Sequence, residues 1–322
     1  MKSAFHISSN LIIFLLLLLT ACAGTGRLNR DYAGNIADEK ILNVHSVESV
    51  GPSMGDEINL MKPFDITVNP LGDIYVSDNG LNMVLKLNEE LEVISYEGGI
   101  GGGLGDFNRP AGMACDAALN LYVADPGNNR IQILDRNLRQ ATVRTEYFGN
   151  DGSASKFSRP EDVAIDFEGN MWVADDDRVL KINPFNEIEL ELSYSSPVGL
   201  NIGKAVSIAA TGTGIIAIGD SGNKKVFVVS SYGNLISEFQ VGSISSVAWE
   251  GKDIIWISSP INERISAYDI YGNRLFSFAD KSPGTRPMSV AVDKRGMLLV
   301  ADAGLKKISR YEILRSLPDQ SE

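Results

Sequence analysis

Histidine is scarce in this chain. Its 322 residues include two, His6 and His45, and His6 falls inside an apolar leader. General-base chemistry and histidine-rich zinc sites are therefore left with one candidate, His45, in the strand-like run Ile41 to Val50. Thiols are no richer, with Cys22 and Cys115 alone. Cys115 sits in Gly112-Met113-Ala114-Cys115-Asp116, where a small buried hydrophobe is the expected role. Two carboxylates, Asp65 and Asp162, fall at matching places in an internal repeat and are the candidate ligands for calcium or another divalent cation. Two oxygen-bearing side chains are too few to specify such a site by themselves. Five cations form a more regular series: Lys62, Arg109, Arg159, Lys204 and Arg286 each stand just before a proline or its counterpart, and Ser243 breaks the series. Brought together they could hold a carboxylate, a sulfate or an acidic loop; paired with neighbouring carboxylates they would be structural. No catalytic residue is assigned, and no cofactor is expected beyond the candidate cation.

The elements that must position these residues are short strands. Phe107-Asn108-Arg109-Pro110-Ala111-Gly112 leads to Leu121-Tyr122-Val123-Ala124-Asp125 and then to Arg130-Ile131-Gln132-Ile133-Leu134. Phe157-Ser158-Arg159-Pro160-Glu161-Asp162 leads in the same way to Met171-Trp172-Val173-Ala174-Asp175 and to Arg178-Val179-Leu180-Lys181-Ile182. Copies with the proline begin at Pro63 and at Arg286-Pro287; two without it contain Ile216 to Asp220 and Ile255 to Ser259. The markers Asp78, Asp125, Asp175, Asp220, Ser259 and Asp302 recur at intervals of about 40–50 residues, the length of one four-stranded blade. Runs of Val, Ile, Tyr and Trp between turn residues, without any long helical period in the mature part, make the chain all-β. Asp166 and Asp293 open turns that end in Gly169 and Gly296, so they are expected to form turns and not to catalyse.

These copies resemble the NHL repeat. The resemblance covers nearly all of the mature chain and implies a six-bladed β-propeller of four-stranded antiparallel blades over residues 41–316. Outer strands are expected at Leu91 to Tyr96, Ala141 to Phe148, Glu187 to Tyr194, Leu235 to Gln240 and Arg274 to Phe278. None follows the last copy, so residues 41–50 are expected to supply it and close the ring. Sixfold pseudo-symmetry would then gather the five cations at one mouth of the axial channel. Tyr75, Tyr122, Trp172 and Trp256 share one place in the second strand and should fill the wedges between blades. The glycine-rich stretch Gly98 to Gly105 precedes no helix, which argues against a phosphate loop; it resembles the crossover of NHL repeats.

Residues 1–21 read as a signal peptide: Lys2, then the apolar run Leu11 to Leu19, too short to span a bilayer. Leu19-Thr20-Ala21-Cys22 resembles a lipobox, which implies cleavage before Cys22 and its lipidation. Ala23 in place of Asp implies the outer membrane of a Gram-negative host; in a Gram-positive host the protein would face outward from the plasma membrane. Residues 22–40 read as a flexible tether and 317–322 as a tail. With Cys22 acylated, Cys115 has no internal disulfide partner.

The formal net charge is −12, one unit more negative once Lys2 leaves, which opposes binding to phosphate backbones and excludes nucleic acid as the expected partner. Three functions remain: an envelope module binding a protein or glycan through a propeller face, a metal-dependent hydrolase or lyase of lactonase-like type, and a structural envelope component. The scarcity of histidine disfavours lyases that need a histidine base or histidine-bound zinc. Binding, which needs only a shaped face, is the expected function.

Overall fold

In the computed structural model, residues 41–316 are described, apart from 52, 55–57 and 197–198. The signal peptide, tether, lipidation site at Cys22 and C-terminal tail read from the sequence lie outside the described residues.

The strands form six antiparallel sheets of four, arranged as blades about one axis. Blade one comprises Pro63–Val68, Ile74–Asp78, Met83–Leu87 and Val93–Gly98. Blade two comprises Met113–Cys115, Leu121–Asp125, Arg130–Leu134 and Gln140–Arg144. Blade three runs from Pro160–Ile165 to Ile188–Leu192, blade four from Ala205–Ala210 to Leu235–Gln240, and blade five from Ser246–Glu250 to Arg274–Phe278. Blade six takes Pro287–Val292, Leu298–Asp302 and Lys307–Arg315 from the C-terminal end and Ile41–Val50 from the N-terminal end.

The closing strand pairs with Lys307–Arg315 from Ile41↔Arg315 to Val50↔Ile308. Glu48 Oε2 lies 2.8 Å from Arg310 Nη1, which fixes the strand laterally as well as through its ladder. His45 is exposed on this strand, far from the axis.

Each apolar cluster fills one gap between neighbouring blades, because inner-strand side chains face the adjacent sheet. Tyr75, Val84, Met113 and Val123 join blades one and two; Trp172, Val179, Ile208 and Ile218 join three and four. Ile66, Val76, Leu299 and Ile308 join blade one to blade six, so the ring has no apolar break at its seam. Tyr75, Trp172 and Trp256 are fully buried, as wedge-filling requires, and Tyr122 is half-buried.

Two short hairpins lie outside the four-stranded pattern, the smaller pairing Ser53–Met54 with Ile58–Asn59. The widest marker interval, from Asp125 to Asp175, holds an extra hairpin in which Glu146–Phe148 pairs with Ala154–Lys156. The run expected as one outer strand, Ala141 to Phe148, is therefore split between blade two and this hairpin. The turns behave as the sequence suggests. Asp166 Oδ1 accepts the N–H groups of Glu168 and Asn170, both at 2.9 Å, and its Oδ2 takes Trp172 Nε1 at 3.0 Å.

Candidate functional site

The second strand of a repeat ends in an aspartate that holds the start of the first. Asp175 Oδ1 accepts the Arg159 N–H at 2.6 Å, Asp220 Oδ1 that of Lys204 at 2.9 Å, and Asp302 Oδ1 that of Arg286 at 2.9 Å. Asp78 does the same for Lys62 at 2.9 Å. These buried carboxylates have backbone N–H groups as regular partners, and of the four ion pairs that hairpin spacing alone would suggest, Asp125–Arg130, Asp175–Arg178, Asp220–Lys225 and Asp302–Lys307, only the first two form. Asp125–Arg130 and Asp175–Arg178 do pair, at 2.9 and 2.7 Å. Lys225 instead pairs with Glu238 and Lys307 with Asp280.

After the cation comes an irregularity that shapes the axial mouth. In blades one, three, four and six the register slips between Pro63/Asp65, Pro160/Asp162, Ala205/Ser207 and Pro287/Ser289. The skipped residues are Phe64, Glu161, Val206 and Met288. A bulge re-aims the side chain it carries. Phe64, Glu161 and Val206, with Ala111 of blade two, line a cavity of about 250 Å³ at the end of the axis, reached by residues of five successive blades. Arg109, Arg159 and Lys204 also line it; Lys62 and Arg286 hold the equivalent sequence places but do not.

Glu161 organises this mouth. Its carboxylate is nearly buried, with Oε1 at 2.8 Å from Arg159 Nε and 3.9 Å from Lys204 Nζ. The sequence reading missed Glu161, although a signal existed: among the six residues that follow the proline or its counterpart, it alone is charged. Arg109 is held differently. Its N–H donates to Asn82 Oδ1 at 2.8 Å, its side chain is exposed, and no carboxylate pairs with it among the described residues. It also adopts φ +64°, the only one of the five cations in the left-handed region. That conformation costs a residue with Cβ about 1–2 kcal/mol. Arg109→Gly is therefore expected to raise stability by about 0.5–1 kcal/mol, net of glycine's own entropy cost, in chemical denaturation. A loss of stability would mean that the Arg109 side chain supports the fold.

One layer deeper, Asp65, Gly112, Asp162, Ser207, Ser246 and Ser289 form a polar girdle that stitches blades together. Asp65 Oδ2 accepts the Met113 N–H at 2.8 Å and Oδ1 the Ser289 hydroxyl at 2.5 Å. Asp162 Oδ1 accepts the Val163 N–H at 2.7 Å and Oδ2 that of Ile208 at 2.8 Å. Ser207 Oγ accepts from Val247 N–H at 3.0 Å. Glycine at 112 makes room for this: a Cβ there would lie 1.8 Å from Asp162 Oδ1. Below the girdle a second axial cavity of about 270 Å³ is lined by all six innermost strands, Cys115 and Trp249 included. Burial pushes the Cys115 thiol above its ordinary range, as suits an inert packed residue.

As a resident cation site the girdle does not fit. All four oxygens of Asp65 and Asp162 already accept hydrogen bonds, and among the described residues no group of three or more His, Cys, Asp or Glu side chains converges. A hard cation of the calcium type takes six or more oxygens. The pair has proton chemistry instead. Burial lifts Asp65 to about 6, and burial together with the nearby Asp65 charge lifts Asp162 well above the usual range.

A carboxyl whose pKa is higher folded than unfolded holds its proton more tightly in the folded state. Its contribution to stability is greatest below the unfolded value of about 4 and is lost as pH rises through the folded value. Unfolding midpoints should therefore fall from pH 4 to pH 6 and above, and Asp162→Asn should flatten that slope. An unchanged slope would show that Asp162 does not hold its proton more tightly in the folded state. Asp73 and Asp280 act in a separate window. Burial opposes their ionisation, but Arg136 and Lys307 overcome it and bring both to about 2, so their contribution is lost only as pH falls below 4.

The glycine-rich crossover also resolves. Arg130 donates to the carbonyls of Gly102, Gly103 and Asp106 at 2.7 to 2.9 Å, so the loop presents oxygens to a cation and not N–H groups to a phosphate.

Comparison with known proteins agrees with this architecture. The NHL repeat family model matches residues 107–134. NHL repeat-containing protein 3 of Homo sapiens is 37% identical over 78 residues, which are 23% of this chain and 22% of that protein. The Mus musculus protein of the same name is 33% identical over 78 residues. The match thus spans about a fifth of the length of these relatives. Virginiamycin B lyase from Staphylococcus aureus superposes with a TM-score of 0.60 at 11% identity, covering 84% of this chain and 100% of the lyase. A streptogramin B lyase gives 0.60 at 14% identity, covering 84% and 98%. At such identities the likeness is one of fold. The chain is a six-bladed β-propeller, closed by its N-terminal strand, that carries an NHL repeat at residues 107–134.

Proposed function

We propose that this protein is a lipid-anchored envelope module that binds an anionic ligand or partner at the cationic mouth of its propeller. The observation that carries the reading is the mouth itself: Arg109, Arg159 and Lys204, from three successive blades, around a cavity of about 250 Å³ whose wall is partly apolar. Binding asks for a shaped face with a few placed polar groups, and the mouth supplies both. The partner is an envelope protein, glycan or small anion and not nucleic acid, because the chain as a whole is acidic. The anchor rests on the lipobox-like Leu19-Thr20-Ala21-Cys22 and the apolar run before it. Metal-dependent hydrolysis or lyase chemistry draws no support from the girdle, whose two carboxylates are occupied by N–H and O–H donors.

Thermal unfolding of residues 31–322 against a panel of organic anions, acidic peptides, sulfated glycans and divalent cations tests the reading. At a hundredfold excess over Kd a bound anion contributes about 2.7 kcal/mol, a rise of roughly 5–10 °C. That rise should vanish in Arg109→Gln/Lys204→Gln. A calcium- or zinc-dependent rise abolished by Asp65→Asn would favour the enzyme instead. Anchoring is checked separately: labelled palmitate should enter the full chain and not Cys22→Ser.

A further inference from the structure

Building on the mouth as a binding site, we infer that its ligand is a small organic dianion: two anionic groups joined by a short apolar body, as in a linear dicarboxylate. The charge inventory of the cavity sets the valence. Three cations line it against one carboxylate, Glu161, which leaves two positive charges uncompensated. Glu161 already pairs with Arg159, its Oε1 2.8 Å from Nε, and a guanidinium has more N–H donors than one carboxylate contact uses. Lys204, 3.9 Å from the same oxygen, is only loosely held. Arg109 has no carboxylate partner among the described residues. One anionic group held by Arg159 and Lys204 beside Glu161, and a second held by Arg109 on the neighbouring blade, would use both charges.

Size and polarity narrow the class. About 250 Å³ is below the volume that drug-sized or nucleotide ligands occupy. Phe64, Ala111, Val206 and Ile244 make part of the wall apolar. Inorganic sulfate would leave that wall wet, whereas a methylene chain would cover it and gain by its burial. A monocarboxylate of equal length would cover the wall but leave one cation unpaired.

Titration calorimetry of residues 31–322 with succinate, adipate and suberate, beside hexanoate, octanoate and sulfate, tests this. Adipate or suberate is expected to bind at least tenfold tighter than the monoacid of equal length and than sulfate. Arg109→Gln should bring the diacid down to the monoacid's affinity, and Arg109→Lys should restore most of the difference. Equal affinity for diacid and monoacid, sulfate binding as tightly as adipate, or no diacid binding at all would overturn the assignment. If diacids fail while another anion still raises the unfolding midpoint through Arg109, the ligand class falls and the binding site stands. If no anion does, both fall.

Discussion

Deleting residues 1–50 is expected to abolish cooperative unfolding, whereas deleting 1–40 should leave the midpoint within a few degrees of the longer form. The two truncations differ by Ile41–Val50, the outer strand of blade six. Its ladder with Lys307–Arg315 runs the length of both strands, and each hydrogen bond there is worth about 0.5–1.5 kcal/mol net. Buried Ile41 and the Glu48–Arg310 pair add to that. The sum approaches the whole stability of an ordinary domain, about 5–15 kcal/mol. Without the strand, blade six also has three strands and an open edge, which invites association between chains. Circular dichroism melts with size-exclusion chromatography read both effects. A truncated form that still melts sharply as a monomer would show that the seam contributes little.

Replacing Arg130 with Met should cost about 3–5 kcal/mol, the largest expected effect of any single side chain here. Arg130 is buried, and it pairs with Asp125, whose side chain is fully buried, while capping three carbonyls of the glycine-rich crossover. Its removal leaves a buried carboxylate facing Asn108 N–H and Asn128 Nδ2 without a counter-charge and takes the donor from the Gly102 and Gly103 carbonyls, while that of Asp106 keeps Gln132 Nε2. Lys225 occupies the matching place in blade four but reaches outward to Glu238, with both side chains partly exposed. Lys225→Met should therefore cost less than about 1 kcal/mol. Urea denaturation of the two variants side by side checks the contrast. Equal losses would mean that burial of the Asp125–Arg130 pair is not what sets its worth.

That contrast shows where the sequence is legible and where it is not. Strand runs, marker aspartates and the missing last outer strand are periodic, and sheet pairing must follow such periods, so the six blades and the closing role of residues 41–50 can be read directly. The extra hairpin within 146–156 interrupts the period and therefore cannot. At the mouth, spacing identifies Lys62, Arg109, Arg159, Lys204 and Arg286 as equivalent, but equivalence in sequence is not equivalence in space. The insertions between copies differ in length, and three of the five reach the cavity. The bulge after Pro160 turns Glu161 toward the axis, and a register slip leaves no periodic signal. Asp65 and Asp162 were placed near the axis by their spacing, yet their partners are backbone N–H groups of other blades, which spacing cannot identify.

The central claim is that Arg109, Arg159 and Lys204 form a ligand site and not merely a charged rim. The most direct measurement is calorimetric titration of the wild-type protein and Arg109→Gln/Lys204→Gln with whichever anion raises the wild-type midpoint most, with both unliganded stabilities determined alongside. The account predicts at least a tenfold loss of affinity in the variant with unliganded stabilities equal to within about 0.5 kcal/mol, because exposed cations without tight partners contribute little to folding. Unchanged affinity in a variant of normal stability would contradict it and move the site elsewhere on the propeller.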